Sequence, residues 1–224
     1  MKETDYLMNE TEIMYRQTDI WKIFRYNAFT LSQKNMWNYG GTPFSNNASL
    51  RWQSMTMNRY EWDVKETFAW NWLDSRLLRG GPDVRFGSYF LTSAKFNTDK
   101  AKRMMFMLKY EGDHNFEGNR FNTISPSLTF RLGNHVYLSG QLDYAWNTDE
   151  MQYVATTSPL SSSSLTPYYY VMGHMDQKTY GLTLKLQVNV TPDISIQFYG
   201  APFTSIAKYD DFKLAADTKS HTFE

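Results

Sequence analysis

From Tyr180 to Tyr199 apolar and polar residues alternate on either side of Thr191-Pro192-Asp193. Tyr180, Leu182, Leu184, Leu186, Val188 and Val190 fall on one side of an extended chain, and Gly181, Thr183, Lys185, Gln187 and Asn189 on the other. A two-residue period is that of a strand; a helix would bring residues three and four apart onto one face. Beyond the turn Ile194, Ile196 and Phe198 alternate with Ser195, Gln197 and Tyr199. The two runs predict a hairpin with one wholly apolar face, and that face must meet either a protein core or lipid.

Similar runs recur along the chain. Period-two patterning predicts strands over about 20–33, 48–59, 64–74, 84–96, 101–110, 120–132, 135–147, 178–190 and 194–204. In two of them Ile124, Leu128, Phe130 and Leu132 alternate with Ser125, Ser127, Thr129 and Arg131, and Val136, Leu138, Leu142, Tyr144 and Trp146 with Tyr137, Ser139, Gln141, Asp143 and Asn147. Gly133-Asn134 between them is a two-residue hairpin signal.

The connections read as alternating in length. Short turns are expected at 60–63, 97–100, 133–134 and 191–193, and long polar or glycine-rich connections at 39–47, 75–83, 111–118 and 148–177. An up-and-down meander then has its tight turns at one end and its large loops at the other, the arrangement of a transmembrane barrel. The runs, of about 10 to 14 residues, exceed the about 5 to 6 of ordinary strands and suit tilted membrane strands of about 9 to 11. The reading is therefore all-β, an antiparallel up-and-down meander forming all or part of a transmembrane barrel of about nine or more strands. A soluble β-sandwich or barrel is the alternative, since its strands alternate as well.

Composition narrows the partners. Lys+Arg 23 balances Asp+Glu 23, which leaves neither a nucleic-acid footprint nor a polybasic membrane signal. Aromatic residues make up 17% of the chain and cysteine is absent. The first suits β structure with Tyr and Trp at an apolar-to-wet boundary; the second removes disulfides, thiolate metal sites and cysteine nucleophiles together. No run approaches the about 20 apolar residues of a spanning helix, and the mean hydropathy is -0.57.

No catalytic, cofactor or metal motif emerges. His114, His135, His174 and His221 are scattered without ligand spacing, and nucleophile-elbow, phosphate-loop and zinc-protease patterns are missing. Asp74, Asp143, Asp149, Glu150, Asp210 and Asp211 supply carboxylates, and two such groups facing each other could hydrolyse a glycoside; solvated loop acids are the plainer reading. The candidate glycan contacts are Arg79, in Arg79-Gly80-Gly81-Pro82, and the tyrosines Tyr153, Tyr168, Tyr169 and Tyr170 flanking the serine run Ser161 to Ser164. An interfacial aromatic girdle accounts for the same tyrosines.

The segment YVMGHMDQKTYGLTLKLQVNVTPDISIQFYGAPFTSIAKYDDFK, Tyr170 to Lys213, resembles a family of large outer-membrane β-barrel proteins of Gram-negative, glycan-degrading bacteria. That family is known mainly as a domain of unknown function, of the 5916 type, usually C-terminal to a family-nine-like carbohydrate-binding module. Asp176-Gln177-Lys178-Thr179 and Thr191-Pro192-Asp193 carry the resemblance, with Arg79-Gly80-Gly81-Pro82, Ser125 to Gly140 and Asn147 to Val154 in support, so it spans Leu78 to Lys213. It implies an outer-membrane location, lipid as the surrounding partner and a non-catalytic scaffold or transport-type role linked to polysaccharide; it implies no cofactor and maps no catalytic residue.

Members of that family are longer, beginning with a signal peptide and sugar-binding module and ending in a closing strand. Against that pattern residues 1–224 are expected to be a single barrel domain that is a fragment of a longer protein. Lys185, Gln187, Arg131, Gln141 and Asp143 are then expected to face the lumen, and Leu184, Leu186, Phe130 and Leu142 lipid. A soluble glycan-binding or glycan-hydrolysing domain is the competing function.

Overall fold

The computed structural model describes residues 6–70, 72–74, 76–79, 81–133, 135–157, 169–217 and 222–223. The elements are β1 (Leu7–Gln17), β2 (Phe24–Trp37), β3 (Pro43–Thr56), β4 (Glu61–Trp70), β5 (Trp72–Asp74), β6 (Val84–Phe86), β7 (Tyr89–Asn97), β8 (Met104–Asn115), β9 (Arg120–Leu132), β10 (Val136–Thr157), β11 (Tyr169–Thr191), β12 (Ile194–Gly200), β13 (Phe203–Asp217) and β14 (Thr222–Phe223). There is no helix among the described residues. All pairings in the main sheet are antiparallel, in the order β1-β2-β3-β4-β7-β8-β9-β10-β11-β13-β14, with β12 also on β11; β5 and β6 form a separate hairpin.

The sheet is therefore a meander in which each long strand lies beside its neighbour in sequence. β12 and β13 act as one stave. Their register against β11 continues across the break, from Leu184↔Gly200 to Gly181↔Phe203, with the Leu182 amide donating to the Pro202 carbonyl at 3.0 Å. Pro202 has no amide hydrogen to give a ladder, which is why the strand is interrupted there. Among the described residues the ten long staves, β1 to β4, β7 to β11 and β12/β13, do not close, because β1 is paired to neither β13 nor β14. The all-β meander is thus observed, while a closed barrel is not.

Register places whole rows of side chains on one face. One row runs Tyr15, Phe29, Trp52, Val64, Ala94, Tyr110, Ile124, Tyr144 and Tyr180. Leu128, Phe130, Leu138, Leu142, Leu182, Leu184 and Leu186 share that face, as do Ile196 and Phe198. Opposite lie Ser49, Arg51, Gln53, Asp63, Ser125, Thr129, Arg131, Gln141, Asp143, Lys185 and Gln187. The expected separation of Leu184, Leu186, Phe130 and Leu142 from Lys185, Gln187, Arg131, Gln141 and Asp143 onto opposite faces is observed.

Burial is inverted relative to a protein whose apolar residues form a core. Leu142 is 58% exposed, Leu31 55% and Ile196 59%, whereas Ser125 is 3% and Ser49 5% exposed. Small hydroxyl residues sit where the polar face is most enclosed, and large apolar residues stand out from the other side. The buried hydrophobic cluster lies instead at one end of the sheet, where Leu78 and Val84 of the β4–β7 connection pack on Met151 and Met172 of β10 and β11.

Several expectations about connections and element ends need correction. The segments read as long loops at 39–47 and 111–118 are tight turns at 38–42 and 116–119, the first closed by the Gly41 amide donating to Asn38. Gly41 and Gly118 supply the left-handed backbone those turns need, at φ 80° and 103°. Most of 148–177 is strand, because β10 and β11 continue to Thr157 and from Tyr169. Among the described residues the β4–β7 connection is the long one at that end, and 158–168 lie outside the described residues. The runs read as 64–74 and 84–96 each divide, giving β5 and β6 as a separate hairpin; β1 is a strand outside the expected runs, and the run expected over 194–204 divides and continues as β13 to Asp217.

Candidate functional site

Two regions hold polar chemistry. The first is the polar face of the sheet. On β3 and β4 the Arg51 guanidinium donates to both oxygens of Asp63, at 2.7 Å from Nε, and Gln53 adds a hydrogen bond at 3.2 Å. On β9 and β10 Asp143 accepts from Ser125 at 2.5 Å and Gln141 at 2.8 Å, while Thr129 donates to Ser139 at 3.2 Å. Gln177 donates to Ser205 at 2.9 Å, and Ser205 lies 2.8 Å from the Thr179 hydroxyl. The β3 to β8 side of this face carries ion pairs, including Lys109 with Glu111 at 2.7 Å; the β9 to β13 side is mostly hydroxyl and amide. Each acid named here is held by a cation, hydroxyl or amide, an arrangement that solvates a polar wall. It does not poise a pair of carboxylates for acid–base work.

The second region is the end of the sheet where β10 and β11 extend past the apolar rows. Arg79, held in the left-handed region at φ 49°, lays its guanidinium 5.0 Å from the Tyr153 ring centroid. Gly81 is needed beside it, since a Cβ there would lie 2.6 Å from Cζ of Tyr170. Of the five candidate glycan contacts the fold thus gathers Arg79, Tyr153 and Tyr170 around one connection, with Arg79 over the ring of Tyr153 and Tyr170 against Gly81. Tyr169 is exposed at the start of β11, and Tyr168 lies outside the described residues, as does the serine run.

Sequence reasoning passed over a third group at this end. His174 on β11 lies 3.1 Å from Glu150 and 3.5 Å from Asp176. The hydrogen bond that His174 donates to Glu150 raises its pKa above the usual imidazole value, with Asp176 adding to it against the cost of burial. Burial pushes the neighbouring Asp149 carboxyl up, opposed by the Met151 amide that donates to it at 2.9 Å. Glu150 and His174 meet because β10 carries a bulge between Asp149 and Gln152, and nothing in NTDEMQYV marks that irregularity. Among the described residues no group of three or more His, Asp or Glu side chains is placed to hold a metal ion.

No curated protein and no solved structure matches the chain. A family model does, and it runs through β1 and the other N-terminal strands as well as through the Leu78 to Lys213 segment that carries the motifs. Matched over residues 1–222, the chain belongs to the family described as Domain of unknown function (DUF5916).

Proposed function

We propose that this chain contributes staves to an outer-membrane β-barrel, with its apolar face toward lipid and its polar face toward a water-filled lumen. Its role is that of a scaffold or conduit linked to polysaccharide handling, not of a catalyst. The observation that carries this reading is the inside-out order of the sheet. A contiguous apolar face across ten staves is far larger than the about 300 to 600 Å² patches that monomeric soluble proteins leave exposed, so something apolar covers it.

The dimensions favour lipid as that cover. Aromatic rows cross β4 at both ends of the apolar face: Trp62 meets Phe96 at 4.4 Å, and Phe68 meets Trp70 at 5.6 Å and Phe90 at 5.0 Å. Trp62 to Trp70 is nine residues, within the about 9 to 11 with which a tilted strand crosses the apolar band. Followed across the sheet, the row of Phe68 and Phe90 turns polar on the later strands, at His114, Arg120, Asp176 and Lys208. Leu186 and Gln187 are neighbours at one depth on opposite faces, and Lys185 already places an amine on the polar side. Leu186→Arg is expected to cost about 2 to 4 kcal/mol of folding free energy in phospholipid vesicles, against less than about 1 kcal/mol for Gln187→Arg. Equal costs, or normal folding of Leu186→Arg in water without detergent, would defeat the proposal.

A further inference from the structure

The opposite end of the polar face, away from the tyrosines, holds a cleft of about 580 Å³ between three turns, 18–23, 57–60 and 98–103. Arg25, Tyr26, Arg59 and Lys100 line it together with the acids Glu61 and Asp99. The acids are engaged: Glu61 pairs with Lys100 and accepts from Asn97, and Asp99 accepts the Ala101 amide at 2.9 Å. Arg25 and Arg59 form no ion pair among the described residues, so two arginines line one cavity with their charges unmatched.

The backbone adds a separate observation. Arg59 is held at φ 61°, in the left-handed region, where a side chain is strained and Gly or Asn is the ordinary occupant. Its turn is fixed by Thr56, whose carbonyl accepts from the Arg59 amide and whose hydroxyl accepts from the Tyr60 amide at 3.1 Å. The Met57 amide donating to the Ile23 carbonyl at 2.9 Å ties this turn to the one before Arg25. Non-glycine residues kept in such a conformation cluster at ligand sites, where the side chain matters more than the strain.

We infer that this cleft binds a small oxyanion, the carboxylate or phosphate of a charged solute, between Arg25 and Arg59. Guanidinium forks match the planar geometry of a carboxylate and two edges of a phosphate, and Tyr26 offers a ring or hydroxyl for the rest of the solute. The cleft is made by turns on the polar face, so it stands whatever covers the apolar face.

The test is calorimetric titration of the purified chain in detergent with D-glucuronate, inorganic phosphate and, as the neutral comparison, D-glucose. Saturable, salt-sensitive binding of either oxyanion and none of glucose is expected, and the oxyanion that binds identifies the class of solute. Arg59→Gly should weaken that binding about tenfold or more with the melting temperature unchanged or raised, since glycine relieves the left-handed strain. Arg25→Lys, which keeps the charge but loses the fork, should weaken it in part. No saturable binding at tens of millimolar, or unaltered affinity in Arg59→Gly, would overturn the inference.

Discussion

At the residue scale Glu66 is the strictest test of how the apolar face is covered. It stands on that face in register with Leu50 and Thr92, exposed, and accepts the Thr92 hydroxyl at 2.7 Å. A carboxyl facing lipid is costly even with one hydrogen bond, so Glu66→Leu is expected to raise stability in vesicles by about 1 to 2 kcal/mol. On a water-exposed face the same change would leave stability within about 0.5 kcal/mol, and equilibrium unfolding in vesicles separates the two.

His174 and Asp149, at the end of β10 and β11 that packs against the β4–β7 connection, give the pH dependence. With the His174 pKa raised, the stability it contributes is fully present below its ordinary 6.5 and is lost as pH rises through the higher folded value. With the Asp149 pKa raised, its ionisation destabilises the fold, so its effect also grows with pH, starting above 3.8. Unfolding at a series of pH values should show His174→Gln less stable than the parent below pH ~6.5, with the difference shrinking as pH rises. Asp149→Asn, which keeps an oxygen for the Met151 amide, should be more stable than the parent at neutral pH and equal to it in acid.

At the scale of elements, legibility followed how cleanly each strand separates its faces. β9 was readable at both ends because Ile124, Leu128, Phe130 and Leu132 face one way and hydroxyls the other. β1 was not: its row toward the apolar face includes Asn9 and Thr11, and its row toward the polar face includes Met8 and Met14, which blurs the period. In β10 the alternation holds only to Asn147, since the bulge at Glu150 and Met151 throws it out of phase. The gathering of Arg79, Tyr153 and Tyr170 was beyond sequence reading because it depends on where the β4–β7 connection folds back. That connection gives an element-scale prediction: Gly81→Ala drives a Cβ into the Tyr170 ring and should cost about 1 to 3 kcal/mol as an overpacked contact. Faster amide exchange over 76–88, with exchange in β9 unchanged, is the pattern expected.

For the whole molecule, the order of strands and the exposure of their faces make one argument. Among the described residues the buried apolar cluster is confined to one end, the sheet between its edges carries Leu, Ile, Phe and Trp outward, and its edge strands β1 and β14 are unpaired with each other. A sheet of this kind standing alone in water would offer a broad apolar face and two open edges to association. Placed in a bilayer, the apolar face is satisfied and the polar face keeps its water. Trp52, Trp62, Trp70 and Trp146 report on this directly, because all four lie on the apolar face. The decisive measurement is tryptophan emission of the chain refolded into vesicles whose lipids carry bromine on their acyl chains. Strong quenching relative to unbrominated vesicles is predicted, deepest for bromines placed near the girdle heights of Trp62 and Trp70. Unquenched emission from a folded chain would contradict the account and leave the apolar face covered by protein.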